Sequence, residues 1–198
     1  ARKALCENLN LRAILAGGRI PGYALHSGSF TAKEYIAKVA LKELYDPAWQ
    51  SESWLADLGN TSPWFYSHPQ LIPRVRAWID EACPGTGLAI TEYNWGADNG
   101  ASSALAQAEA LAIFAREGVD VAARWVAPLE NSLVERAFRL FLDFNGLGAQ
   151  VTGDSVRTLS SNIDSLGAYA LHAPGSKIFV LLFNKSTTSN IASINIGA

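Results

Sequence analysis

The sequence predicts an α/β fold that gives way to an all-β segment near its C-terminus. Between residues 70 and 142, helical and strand patterns alternate along the chain. After Asn145-Gly146 the pattern changes to short β-rich runs separated by turn signals such as Pro174-Gly175. The alternation implies parallel strands joined by right-handed crossovers, an arrangement found both in doubly wound sheets and in (β/α)8 barrels.

Helical periodicity marks three stretches of the α/β part. The first helix, ended by Pro84-Gly85, is expected to bury Ile72, Val75, Ile79 and Ala82. The second, capped by Ser102 or Ser103 and stopped at Gly118, is expected to bury Leu105, Ala108, Ala112 and Ala115. The third, capped by Asn131, is expected to bury Val134, Ala137, Phe138, Phe141 and Leu142.

Strand patterns occupy the gaps between the helices and the C-terminal segment. Residues 87–92 predict a short buried strand, and residues 119–126 predict another strand, which is ended by Pro128. Four further strands are predicted at 156–161, 166–172, 177–184 and 190–196. Upstream, residues 32–45 predict a short helix, and residues 46–69 form a long loop rich in aromatic residues. Residues 1–30 receive no assignment.

The composition excludes several classes of function. Hydrophobic residues make up 49% and charged residues 17% of the chain, and a net charge of -2 gives no reason to expect a nucleic-acid partner. No apolar run approaches the roughly 18 residues needed to cross a bilayer, so no membrane association is expected. Methionine is absent even at position 1, which favours a piece of a longer protein.

The sequence also offers no metal or cofactor motif. His26, His68 and His172 are scattered, and no phosphate loop or dinucleotide fingerprint is present. Asp98-Asn99-Gly100 could be a cation loop but is better explained as a turn. Cys6 and Cys83 are expected to be separate thiols, with a bridge between them as the alternative. We therefore expect neither a metal nor a cofactor.

Glu92 is the principal candidate for chemistry. It follows the apolar run Leu88-Ala-Ile90 and precedes Tyr93, Asn94 and Trp95. A carboxylate at the C-terminal end of a strand and among aromatic residues suits sugar binding and hydrolysis. The structural alternative is a glutamate held in an ion pair with a neighbour such as Arg124.

Four aromatic residues are candidate sugar platforms. Trp125 ends the next predicted strand, so it should stand beside Glu92, although core packing is the alternative. Tyr93 and Trp95 follow Glu92 directly, and Tyr93 could equally pack against the helices. Trp64 lies in the aromatic loop, where it could be a platform or a loop anchor.

Several motifs resemble glycoside hydrolase family 44, in the same order from about residue 44 to residue 197. They are Tyr45-Asp46-Pro47, residues 71–80 (LIPRVRAWID), Pro84-Gly85-Thr86, residues 90–96 (ITEYNWG), residues 106–109 (AQAE), residues 114–118 (FAREG) and Arg124-Trp125. The conserved order makes this resemblance more specific than any single tripeptide.

The resemblance implies a retaining endo-β-1,4-glucanase or xyloglucanase. The fold it implies is the C-terminal part of a (β/α)8 TIM barrel, residues 1–148, followed by part of an accessory β-sandwich, residues 149–198. Glu92 matches the family's nucleophile at the end of the seventh strand, and Trp125 matches a tryptophan of the cleft. The substrate would be a plant cell-wall β-glucan, and the protein a secreted monomer.

Strand alternation supports an inward-facing Glu92 if Leu88 and Ile90 also point into the barrel, with Ala89 and Thr91 toward the helices. One component of the family's site is missing, because retaining chemistry needs a second carboxyl group as general acid and base. The family carries it in an upstream Asn-Glu-Pro motif, and that triplet does not occur in this sequence. The isolated chain is therefore expected to be inactive. A noncatalytic carbohydrate-binding or structural fragment, and a retaining glycosidase of another barrel family, are the alternatives.

Overall fold

The computed structural model describes residues 41–51, 67–186 and 188–197. Most of the helix predicted at 32–45 and much of the aromatic loop at 46–69 lie outside the described residues. Their described portion contains a short 3-10 helix, Lys42–Leu44. The first long helix, α1, spans Leu71–Ala82 and buries Ile72, Val75 and Ile79, so the predicted apolar face is confirmed for these three residues.

The second helix, α2, spans Ala101–Arg116 and begins differently from the prediction. Gly100 is its N-cap, and no side chain caps it. Ser103 lies inside the helix, where its Oγ donates to the backbone oxygen of Trp95 at 3.2 Å. The predicted burial of Ala115 is wrong, because this residue is exposed. Packing on more than one side explains why the burial of α2 departs from a single apolar stripe.

The third helix, α3, spans Leu133–Leu142 and is capped by Ser132 rather than by Asn131. The Ser132 Oγ accepts a hydrogen bond from the backbone N–H of Glu135 at 3.1 Å. The Glu135 carboxylate in turn accepts from the backbone N–H of Asn131. Val134 and Ala137 are buried as predicted. Leu142, predicted to face inward, is 57% exposed because it lies at the last turn of the helix.

Strands β1 (Ala89–Tyr93) and β2 (Val121–Arg124) form a parallel pair, each following a helix. The α/β class predicted from the alternation is therefore confirmed. Ile90 pairs with Ala122 and Tyr93 pairs with Arg124, so two residues of β1 face one residue of β2. This extra residue is a β-bulge, which reverses the side-chain alternation beyond it.

The C-terminal segment forms an antiparallel sheet in the order β3, β4, β5. These strands span Asp154–Val156, Leu166–Ala173 and Lys177–Asn184. The strand predicted at 190–196 is absent, and Ile191 in that segment is fully exposed. Polar side chains at its start explain this difference, because Asn190 Nδ2 donates to Asn184 Oδ1 at 2.8 Å and holds a turn in place of strand pairing.

One apolar core joins the α/β part to the antiparallel sheet. It contains the buried faces of α1, β1 and α2 together with Tyr169, Leu171, Leu181 and Phe183 of the sheet. The division of the chain into two domains at residue 148 stays a prediction. No helix within the described ranges is long and apolar enough to span a membrane.

The prediction of a free thiol at Cys83 is wrong, because Cys83 is disulfide-bonded. Cys6, the other of the chain's two cysteines, lies outside the described residues. The spacing of only two cysteines along the chain carries no information about such a bond, since cross-linking depends on how the chain folds back.

Candidate active site

Glu92 lies in the β-bulge at the end of β1. Its side chain is exposed, whereas Ile90 and Tyr93 on either side of the bulge are buried. Leu88 and Ile90 belong to the same core as the apolar faces of α1 and α2. The expectation that these two residues point the same way as Glu92 is therefore wrong. The bulge places the Glu92 side chain on the exposed side of the sheet, away from the core. Regular alternation without a bulge would have placed it on the same side as Leu88 and Ile90.

The carboxylate of Glu92 makes no hydrogen bond or ion pair with the part of the chain that the structure describes. The alternative partner, Arg124, is engaged elsewhere: its Nη2 lies 2.5 Å from Asp98 Oδ1. A strand-end carboxylate without a local partner is available for an incoming ligand.

Trp125 follows β2 directly and is paired through its backbone with Tyr93, the residue after Glu92. Its backbone N–H donates to the oxygen of Tyr93 at 2.8 Å, which continues the pairing of the two strands. The Trp125 side chain is 59% exposed. An exposed indole at the end of a strand offers an apolar surface for the C–H face of a sugar ring.

The other aromatic candidates are placed differently. Tyr93 is buried, with its ring centroid 5.2 Å from that of Phe114 in an edge-on contact. Its hydroxyl accepts a hydrogen bond from Gln107 Nε2 at 2.8 Å, and burial raises the Tyr93 pKa. Trp95 is buried as well. Core packing is thus favoured over sugar contact for both, and Trp64 lies outside the described residues.

The sequence did not predict a polar network around the backbone of residues 125–129. Asp98 Oδ2 accepts from the backbone N–H of Leu129 at 2.7 Å, while its Oδ1 pairs with the largely buried Arg124. Arg124 Nη2 also donates to Asn94 Oδ1 at 3.2 Å, and Asn94 Nδ2 donates to the oxygen of Trp125 at 2.8 Å. Asp98 therefore serves as an ion-pair partner, and no group of three candidate metal ligands occurs within the described ranges.

A buried carboxylate lies away from the strand ends. Glu109 of α2 is 1% exposed, and its Oε1 accepts from Lys185 Nζ and from the Tyr169 hydroxyl, both at 3.0 Å. Burial raises the pKa of Glu109, and the adjacent Lys185 ammonium opposes this rise. This group joins α2 to the antiparallel sheet, and its burial keeps it from acting on a polymeric substrate.

The chain is similar to known polysaccharide-degrading enzymes. Endoglucanase A of Paenibacillus lautus is 32% identical over 149 residues, which is 74% of this chain and 20% of that protein. The solved structure of CelM2, a bifunctional glucanase-xylanase from a metagenome library, has a TM-score of 0.71 and 32% identity, and covers 81% of this chain and 29% of CelM2.

A xyloglucanase of Paenibacillus polymyxa from glycoside hydrolase family 44 gives a TM-score of 0.70 at 27% identity, over 82% of this chain and 31% of that structure. No protein-family model matches the chain. The fold and the order of the sequence motifs make this chain a relative of glycoside hydrolases. The resemblance to family 44 is confirmed, and the chain is similar to only a fifth to a third of these enzymes, consistent with a C-terminal portion.

Proposed function

We propose that this chain carries the nucleophile of a retaining endo-β-1,4-glucanase or xyloglucanase that acts on plant cell-wall glucans. The observation that carries the proposal is an exposed Glu92, without a partner among the described residues, on a strand whose last residue pairs with the backbone of the exposed Trp125. The names of the relatives, which include an endoglucanase, a glucanase-xylanase and a xyloglucanase, support this substrate class.

In this proposal β1 and β2 are the last two strands of a (β/α)8 barrel, and β3 to β5 belong to an accessory β-sandwich. Val121, Ala122 and Ala123 of β2 are all exposed although β2 is paired with β1, so both faces of β2 are uncovered by the described residues, as expected for a strand that belongs to a larger barrel. Glu92 and Trp125 then lie at the C-terminal mouth of the barrel, where such folds carry their chemistry. The working protein is extracellular and monomeric, without a cofactor.

Glu92 would attack the anomeric carbon as a carboxylate and form a covalent glycosyl ester, while Trp125 supports the sugar ring. The leaving oxygen needs a proton from a second carboxyl group about 5 to 5.5 Å away. Glu109 cannot supply it because it is buried against Lys185. In the family the general acid lies in an upstream Asn-Glu-Pro motif, and because that triplet does not occur in this sequence we propose that a longer protein supplies it. Alone, the chain should not hydrolyse glucans.

The test joins this chain behind the upstream region of a family 44 relative and measures hydrolysis of xyloglucan and cellulosic polymers. We expect Glu92→Gln to lower turnover at least about a thousandfold, because the covalent step is lost. Glu81→Gln, at an exposed glutamate of α1, is the matched control and should retain full activity. Undiminished turnover in Glu92→Gln would refute the assignment.

A noncatalytic glucan-binding fragment is the second candidate, and the exposed indole of Trp125 favours it. Equilibrium binding of xyloglucan by the isolated chain distinguishes the two functions. Binding that depends on Trp125, without any Glu92-dependent hydrolysis in the joined protein, would support the binding fragment. Hydrolysis that depends on Glu92 would support the enzyme.

A further inference from the structure

We infer that Asn94 is a positioning residue that fixes the Trp125 platform relative to Glu92. Its role in glucan recognition rests on the proposed function, but its role in holding Trp125 is a property of the fold. Asn94 lies two residues after Glu92, and its side chain reaches across to the backbone of Trp125 on the neighbouring strand.

Both backbone hydrogen-bonding groups of Trp125 are tied to the segment that carries Glu92. The N–H of Trp125 donates to the oxygen of Tyr93 at 2.8 Å, and the oxygen of Trp125 accepts from Asn94 Nδ2 at 2.8 Å. The exposed indole thus projects from a backbone that is held at both ends of the residue. Its position relative to Glu92 is set by β1 and by Asn94 together.

The amide of Asn94 can serve this role in one orientation only. Its Oδ1 accepts from the backbone N–H of Gly96 at 2.6 Å and from Arg124 Nη2 at 3.2 Å. Two donors directed at the same atom identify that atom as the oxygen, so the Nδ2 group faces the oxygen of Trp125. The hydrogen bond to Trp125 is therefore specified by the neighbours of Asn94.

Arg124 holds the other side of the same turn. Its Nη1 donates to the oxygen of Val126 at 2.7 Å, while Asp98 balances the charge of its largely buried guanidinium. Val126 has a φ of 53°, a left-handed conformation that β-branched residues rarely adopt. Strained backbone of this kind persists only where surrounding contacts hold it in place. Here the hydrogen bond from Arg124 holds the backbone of Val126, the residue directly after Trp125.

Asn94→Asp provides a nearly isosteric test. The aspartate can still accept from Gly96 and Arg124, but it cannot donate to the oxygen of Trp125. Asn99→Asp is the matched control, because it adds the same charge to the same loop at an exposed residue. The full chain is labelled with 5-fluorotryptophan, and the fluorine resonance of Trp125 is assigned by its loss in Trp125→Phe.

We expect Asn94→Asp to shift or broaden the Trp125 resonance and to leave the other tryptophan resonances in place. Asn99→Asp should change none of them. Affinity for xyloglucan should fall about fivefold in Asn94→Asp, as expected for one lost positioning hydrogen bond. In a Trp125→Ala background, Asn94→Asp should cause no further loss, because the platform it positions is already gone.

Three outcomes separate the claims. An unchanged Trp125 resonance in Asn94→Asp overturns the positioning role, whatever the glucan affinity. An additive loss of affinity in the Trp125→Ala background also overturns it, because Asn94 would then act independently of Trp125. A changed resonance, together with no effect of Trp125→Ala on glucan binding, supports positioning and contradicts the proposed sugar contact.

Discussion

Replacing Lys185 by methionine tests the buried ion pair that connects α2 to the antiparallel sheet. The change removes the ammonium group but keeps an unbranched chain of similar length, so Glu109 loses its charge partner with little loss of volume. At the 3.0 Å separation of Lys185 Nζ and Glu109 Oε1, the pair attracts with about 5.5 kcal/mol at an effective dielectric constant of about 20. Removal of one partner of a buried ion pair typically costs about 3–5 kcal/mol, because the other charge is left buried without compensation. We expect Lys185→Met to lower the free energy of unfolding by this amount at neutral pH.

The pKa of Glu109 determines how the stability loss in Lys185→Met should change with pH. Burial raises the pKa of Glu109, and removal of Lys185 should raise it further. A carboxyl group with a raised pKa in the folded state binds its proton more tightly there than in the unfolded chain. Stability therefore falls as the pH rises from the unfolded pKa of about 4.3 through the folded pKa. The deficit of Lys185→Met should be small near pH 4 and largest at neutral pH.

Urea unfolding at several pH values measures this deficit. Lys177→Met, at an exposed lysine of the same sheet, is the matched control and should have a much smaller, pH-independent effect. A deficit in Lys185→Met equal to that of the control, or one that grows toward acid pH, would refute the reasoning.

Two further predictions concern packing and a second titrating group. Gly167→Ala would place its Cβ in steric conflict with Glu109 Oε1, so we expect the free energy of unfolding in urea to fall by about 1–3 kcal/mol. Gly197→Ala, where the added Cβ meets nothing, should cause no change. A hydrogen bond from the Leu88 N–H, and secondly the charge of Arg76, lowers the pKa of Asp120. Asp120→Asn should therefore lower the free energy of unfolding at neutral pH and should equal wild type in stability at a pH acid enough to protonate Asp120. An equal loss of stability at all pH values would contradict this.

Local patterns were sufficient to predict the main elements of the fold. The periodicity of Ile72, Val75 and Ile79 gave the buried face of α1, and the apolar run ending near Glu92 gave a strand. Helix caps were less predictable, since Ser132 rather than Asn131 caps α3 through a contact with Glu135. Neighbouring polar residues compete for such roles, and small differences in backbone geometry decide between them.

Features that depend on long-range pairing could not be predicted. The bulge that turns Glu92 outward arises from the register between β1 and β2, which no single strand encodes. Glu109 and Lys185 are separated by 76 positions, and nothing in either local pattern indicates that they meet. The position of Trp125 at the end of a predicted strand favoured an exposed platform over core packing, whereas the buried Trp95 looked equally available in the sequence.

Covalent trapping tests the nucleophile directly. The joined protein is incubated with a cellotrioside that carries fluorine on the carbon next to the anomeric centre and dinitrophenolate as the leaving group. This leaving group departs without a proton, so labelling depends on the nucleophile and not on the general acid. We predict one glycosyl adduct per chain, located on the peptide containing Glu92 by mass spectrometry and absent in Glu92→Gln. An adduct on another carboxylate, or equal labelling of Glu92→Gln, would contradict the account.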